Sequence, residues 1–145
     1  MEFIKQNIGW DADPNAPMPE AEIDRNSSKL TLSFYLNAFI HDDVNEEDIG
    51  IIKFNNCFKY RLGATNDEGF YRGQCRFSKS GIKWGDFYKM IGTNWRNDFP
   101  KDEIVANSSL EMNKDLNHYL FYFRDETFEC IASTYTFNIK RADSN

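Results

Sequence analysis

The feature that most constrains this chain lies near its C-terminal end. Two runs of aromatic and β-branched residues, Tyr119 to Phe123 and Thr127 to Phe137, are joined by Arg124-Asp125-Glu126-Thr127. Aromatic and β-branched runs on both sides of a short polar turn predict a β-hairpin. A hairpin centred on that turn pairs Phe123 with Phe128, Phe121 with Cys130, and Tyr119 with Ala132. Because side chains alternate along a strand, these six share one face and must cover a core. The other face then presents His118, Leu120, Tyr122, Arg124, Glu129, Ile131 and Ser133. In this register His118 lies beside Ser133, and Arg124 is diagonal to Glu129, within reach of a cross-strand ion pair.

The rest of the chain reads in the same way. Leu30, Leu32, Phe34 and Leu36 alternate with Thr31, Ser33, Tyr35 and Asn37, which predicts a half-buried strand over 30–39. Ala21 to Asp24 reads as a short edge strand, followed by a polar turn from Arg25 to Ser28. Ile49 to Leu62 is extended, with a turn at Asn55-Asn56, and Gln74 to Ser78 reads as another strand. Over 82–91 a helical spacing of Trp84, Phe87, Tyr88 and Ile91 competes with Gly85 and a β-rich composition, and the balance leans to strand. Pro100-Lys101-Asp102-Glu103 has the marks of a helix start, and Ser108 with Glu111 those of a capping box for a second short helix ending near Leu116. The loop from Asp11 to Pro19 holds three of the four prolines and admits neither helix nor internal strand. Together these predict an α+β fold: a single domain over 1–145, mainly antiparallel sheet with a C-terminal hairpin and a few short helices.

Composition sets the boundaries. The 145 residues include 13 Phe, 7 Tyr and 3 Trp, far more aromatic area than a disordered chain leaves in water. No apolar run approaches the roughly 18 residues of a membrane span, and Lys5, Gln6 and Asn7 interrupt any signal-peptide core. Three cysteines, Cys57, Cys75 and Cys130, form no C-x-x-C and no even framework, so reduced, buried thiols in a cytoplasmic protein are expected. The sequons at Asn26 and Asn107 are then silent. Net charge is −6, but unevenly spread: residues 1–52 carry −8, residues 53–101 carry +6, and residues 102–145 carry −4. The basic middle also holds 11 of the 23 aromatics. Local pairing of these blocks on folding is the first expectation, and a basic aromatic surface the sharper one.

Several chemistries lack their signatures. There is no phosphate-cradling G-x-x-x-x-G-K-[ST], no G-x-G-x-x-G after a strand and no G-x-S-x-G elbow. His41 and His118 are the only histidines. One lies in an acidic loop with five carboxylates between His41 and Asp48, the other on a strand with no evident orienting carboxylate. Asp11-x-Asp13-x-Asn15 with Glu22 in twelfth place mimics a calcium loop, but Ala16 stands where that loop needs glycine. No metal and no cofactor are expected. The strongest candidate site is Arg61 to Arg76, where Arg61, Asn66, Asp67, Glu68, Arg72 and Arg76 gather around three glycines, with Arg124, Asp125 and Glu129 on the hairpin nearby. Arginines so placed hold a carboxylate or phosphate, or pair with the neighbouring acids in a self-satisfied network.

The strings WDADPNAP (10–17), YRLGATNDEGFYRGQCRF (60–77), WGDFY (84–88) and HYLFYFRDETFEC (118–130) resemble a family of uncharacterised bacterial proteins of this size. The resemblance spans nearly the whole chain and implies a bacterial cytoplasmic protein; it brings no catalytic residues. The functional expectation is a non-enzymatic, immunity-like module that binds another protein, since an acidic surface steers association with a basic partner. A small-molecule binder or enzyme using the 61–76 loop is the alternative. A single-stranded nucleic-acid binder is a second, needing exposed stacking rings; nucleic acid suits the acidic balance poorly.

Overall fold

A computed structural model describes residues 1–64 and 81–142. The described residues form ten strands: β1 (Glu2–Lys5), β2 (Glu20–Asp24), β3 (Lys29–Tyr35), β4 (Ile49–Asn55), β5 (Lys59–Ala64), β6 (Phe87–Ile91), β7 (Ile104–Val105), β8 (Asn117–Tyr122), β9 (Glu126–Ala132) and β10 (Thr134–Lys140). They build two antiparallel sheets, one ordered β1-β6-β8-β9-β5-β7 and the other β10-β4-β3-β2. No helix among the described residues is long and apolar enough to cross a membrane.

The core lies between the sheets. The smaller sheet contributes Leu30, Leu32, Phe34, Ile52 and Phe54, the larger one Tyr60, Phe87, Tyr119, Phe121, Phe128 and Cys130. Rings interlock across the gap: Phe34 meets Phe121 edge-on at 4.9 Å, and Phe54 packs on Phe128 at 5.5 Å. Alternation in β3 is complete, with Leu30, Leu32 and Phe34 buried, but the strand stops at Tyr35, not at Phe39. Its neighbour in register is Ile49, and beyond that point Leu36 makes only a single bridge, to Ala12. At Gly50 the strands come so close that a Cβ would lie 2.9 Å from the Phe34 ring and from Leu36.

The helices expected from the sequence do not form. Residues 100–103 make a turn leading into β7, and the only helical element described is a 3₁₀ turn, Ser108–Leu110. Its cap is Asn107, one residue earlier than the expected Ser108: the Asn107 amide oxygen accepts from Ser109 N–H, and its Nδ2 donates to Ser28 Oγ at 2.7 Å. The turn buries no residue, and an isolated short helix without an apolar face has nothing to propagate it. Of segment 82–91 only Phe87–Ile91 forms a strand, β6; residues 82–86, with Gly85 at φ +84°, make the turn that leads into it. The strand expected at 74–78 falls outside the described residues.

The hairpin forms with the expected faces and a different register. Phe121 pairs with Phe128, Tyr119 with Cys130 and Asn117 with Ala132, two residues away from the sequence-derived pairing. The connection is tighter than expected: Phe123 N–H donates to Glu126 O at 2.8 Å, leaving only Arg124 and Asp125 at the tip. A shift by two preserves the side-chain faces, so Tyr119, Phe121, Phe123, Phe128, Cys130 and Ala132 remain in the core. What changes is who faces whom.

Candidate functional site

The changed register decides the partners of Glu129. Leu120 now stands opposite it, which makes His118, not Arg124, a diagonal neighbour. His118 Nε2 lies 2.8 Å from Glu129 Oε1, and Thr93 Oγ1 lies 2.9 Å from His118 Nδ1. A carboxylate on Nε2 selects the tautomer protonated there, leaving Nδ1 to accept from the threonine hydroxyl. The orienting carboxylate that the sequence did not reveal for His118 is therefore Glu129. His118 and Glu129 are each 1% exposed. The cleft above Thr93 measures about 180 Å³, below the ~300 Å³ at which small-molecule sites begin. Hydroxyl, imidazole and carboxylate are linked in a line here, in a place with little room for a substrate.

Arg61 is the cross-strand partner of Glu129. Its guanidinium grips Asp102 with two bonds, Nε to Oδ1 at 3.1 Å and Nη2 to Oδ2 at 2.8 Å, and donates from Nη1 to Thr127 O. The Arg61 fork beside Asp102 holds that carboxyl below its ordinary range. Lys59, one row along, is buried with its ammonium 2.9 Å from Glu103 and 4.7 Å from the Phe99 ring centre. Along β5 and β9 the outer face of the large sheet thus carries satisfied charges, beside an apolar cluster of Met90, Leu120 and Tyr122 on β6 and β8. Of the sequence-predicted residues, Arg61 and Glu129 come together, whereas Asn66, Asp67, Glu68, Arg72 and Arg76 lie outside the described residues. Arg124 and Asp125 are exposed at the hairpin tip, and no Arg124–Glu129 ion pair forms.

Arg124 instead lines a cleft of about 340 Å³ with Asp11, Ala12, Asp13, Pro14, Trp84, Gly85 and Phe123. Three segments converge on it: the proline-rich loop, the turn before β6, and the hairpin. Asn7, buried, clamps the first two together; its Nδ2 donates to Trp10 O and Asp86 Oδ1, and its Oδ1 accepts from Phe87 N–H. Trp10 anchors the loop from beneath, stacked on Phe137 at 4.0 Å. Gly85 stitches the segments: Ala12 N–H donates to its carbonyl and its own N–H donates to Tyr122 O. Its φ of +84° suits glycine and leaves the cleft floor bare. Short-range spacing could not have exposed this site, because its walls come from three separate stretches, residues 11–14, 84–85 and 123–124.

The loop following β3 sits at the same end of the molecule. Asn37 N–H donates to Asp11 O, and His41 Nε2 lies 2.8 Å from Asp11 Oδ1. Asp48 braces the far side of the loop, accepting from Asn45 N–H, Ala142 N–H and the Arg141 guanidinium. Between these anchors Phe39 and Ile40 stand out in solvent, 72% and 70% exposed, beside exposed Asp42, Asp43, Glu46 and Glu47. In the basic middle, by contrast, the described rings of Phe54, Phe58, Tyr60, Phe87 and Tyr88 are buried, and those of Trp84, Trp95 and Phe99 half-buried. These offer no exposed stacking platform. Among the described residues no group of three or more His, Cys, Asp or Glu is placed to hold a metal ion. Comparison with protein-family models, curated proteins and solved structures finds no match.

Proposed function

We propose that the chain is a non-enzymatic protein-binding module of the immunity kind, working in the bacterial cytoplasm and engaging its partner with the end of the sandwich that carries Phe39 and Ile40. The observation that carries this reading is the exposure of those two side chains on a loop braced from both sides. Neighbouring apolar side chains left in water by a well-packed protein mark an interaction site more often than an accident. Bracing matters because a loop already held in place loses little freedom on docking. The surrounding carboxylates set the partner's character: a surface with positive charge around an apolar spot, approached quickly at low salt. Acidic charge at this end disfavours nucleic acid. Thiols of Cys57 and Cys130 sequestered in the core suit a reducing compartment.

Affinity capture from the native host tests the reading. The chain is expected to recover one stoichiometric protein partner, and Phe39→Ser with Ile40→Ser to lose it while melting like the parent. Co-expression of the recovered partner should harm cells unless the chain is present. Recovery of no partner, or equal recovery by the double variant, overturns the proposal.

A further inference from the structure

The two flanks of the sandwich are finished differently. On one, where β1 and β10 are the edge strands, the chain after β1 covers the core: Trp10 stacks on Phe137 at 4.0 Å, and Tyr135 Oη donates to Gln6 Oε1 at 2.8 Å. On the other, β2 and β7 are the edges, tied at the turn after β2, where Arg25 Nη1 donates to Val105 O and Asn107 Nδ2 to Ser28 Oγ. Along this flank Ala21 and Ile23 are half-buried, and Ile104, which shares the core face with its neighbour Tyr60, is exposed. β2 pairs with β3 on one side, and among the described residues no backbone hydrogen bond reaches its other side. Alternate residues of such a strand aim N–H and C=O groups outward, ready for pairing. Its solvent face carries Glu20, Glu22 and Asp24, all exposed. Asp24 Oδ1 accepts from the N–H groups of Asn26 and Ser27 in the turn, whereas Glu20 and Glu22 make no ion pair among the described residues.

We infer that β2 takes up a further strand from a partner protein, an extended segment alternating basic with apolar side chains. The basic ones lie against Glu20 and Glu22, and the apolar ones close over Ala21 and Ile23 towards Ile104. Main-chain bonds supply the affinity of such an added strand, and the alternation of its side chains supplies the selectivity. A second copy of this chain is the wrong occupant: antiparallel pairing of β2 with itself about Glu22 sets carboxylate against carboxylate, and Glu20 against Asp24. A basic strand turns the same three charges into attraction. That the strand belongs to a protein partner rests on the binding-module reading; the preference of β2 for it does not.

The test titrates the full ¹⁵N-labelled chain with acetyl-Lys-Val-Lys-Val-Lys-amide, with the same peptide carrying glutamate in place of lysine, and with the fully N-methylated lysine peptide, which cannot donate to a sheet. Amide signals of β2 should move saturably with the first peptide, with a Kd on the order of 1 mM, and about tenfold more weakly or not at all with the other two. Signals of β10, the opposite edge of the same sheet, should stay in place. Glu20→Lys with Glu22→Lys changes two solvent-facing side chains and should weaken binding about tenfold without lowering Tm. Equal binding of the three peptides, no movement of β2, or full binding by the double variant overturns the inference, even if a partner is captured through Phe39 and Ile40. Selective binding at β2 in a chain that captures no partner removes the module reading and leaves the strand's assignment standing.

Discussion

His118 and Glu129 meet across the hairpin at 2.8 Å, sealed from solvent on the outer face of the larger sheet. That contact exists only in the observed register. Glu129→Ala would strand a buried imidazole and is expected to cost about 3 kcal/mol, read from urea denaturation. Arg124→Ala, which the sequence-derived register would make the damaging change, should shift stability by no more than about 0.5 kcal/mol. A reversal of these two effects would mean that the pairing is wrong.

Acid should weaken the fold through two carboxyls. Burial pushes Asp48 up, but the N–H groups of Asn45 and Ala142 and the Arg141 guanidinium outweigh it, so the carboxyl lies below its ordinary value. Arg61 does the same for Asp102. A carboxyl that is more acidic folded than unfolded stabilises fully above its unfolded pKa of about 4, and that contribution is lost as pH falls through the folded value. Urea midpoints should therefore hold level near neutrality and decline below about pH 4, with Asp48→Asn lowering the plateau and flattening the decline.

The close approach at Gly50 makes a third expectation. A methyl group there would press on the Phe34 ring, which cannot retreat because Phe121 lies 4.9 Å and Trp10 5.7 Å from it. Gly50→Ala should cost about 1–3 kcal/mol through overpacking, against about 3–5 kcal/mol for the cavity left by Phe121→Ala. Calorimetric melting of the three proteins would rank them.

Cysteine chemistry should be silent in the native state. Burial pushes the Cys57 thiol up to about 12, and burial, Cys57 and Glu129 together raise Cys130 well above its ordinary value. In a Cys75→Ser background, iodoacetamide should label neither thiol until denaturant is added, when both should react. Mass spectrometry before and after unfolding reads the difference.

How far the sequence foretold this molecule depends on the range of the interaction. Alternation in Leu30 to Leu36 marked the buried face of that strand, because burial on one side imposes a period of two, whereas in the C-terminal ribbons it separated the two faces without telling buried from exposed, since both faces of β8 and β9 are buried. The same pattern is blind to a two-residue slip, which keeps every face and only a turn can decide; the Phe123–Glu126 bond decided it. The Pro100 and Ser108 signals are local preferences, and local preference yielded where no apolar stripe existed to hold a helix. Arg61, singled out with the glycine-rich segment, and Glu129, on the hairpin, lie opposite each other in the sheet. The cleft was invisible as a unit, although its walls, Asp11 to Pro14, Trp84-Gly85 and Phe123-Arg124, each sit in a segment that drew notice separately. Asn7, which ties two of them together, carried no signal.

Two of the three places where the chain passes from one layer to the other, after β4 and after β9, are fastened to each other. Ser133, between β9 and β10, donates from N–H and Oγ to Asn55 O at the end of β4, while Asn56 Nδ2 donates to Ser133 Oγ. The layers are thus bound like pages at a spine, and the hairpin tip with Arg124 and the loop with Phe39 lie along the opposite, fore edge. The third crossing, the loop from Asn7 to Pro14, clasps that fore edge, because Ala12 bridges Leu36 beside one layer and donates to Gly85 O, whose own N–H donates to Tyr122 O in the other, so the volume is closed at both margins.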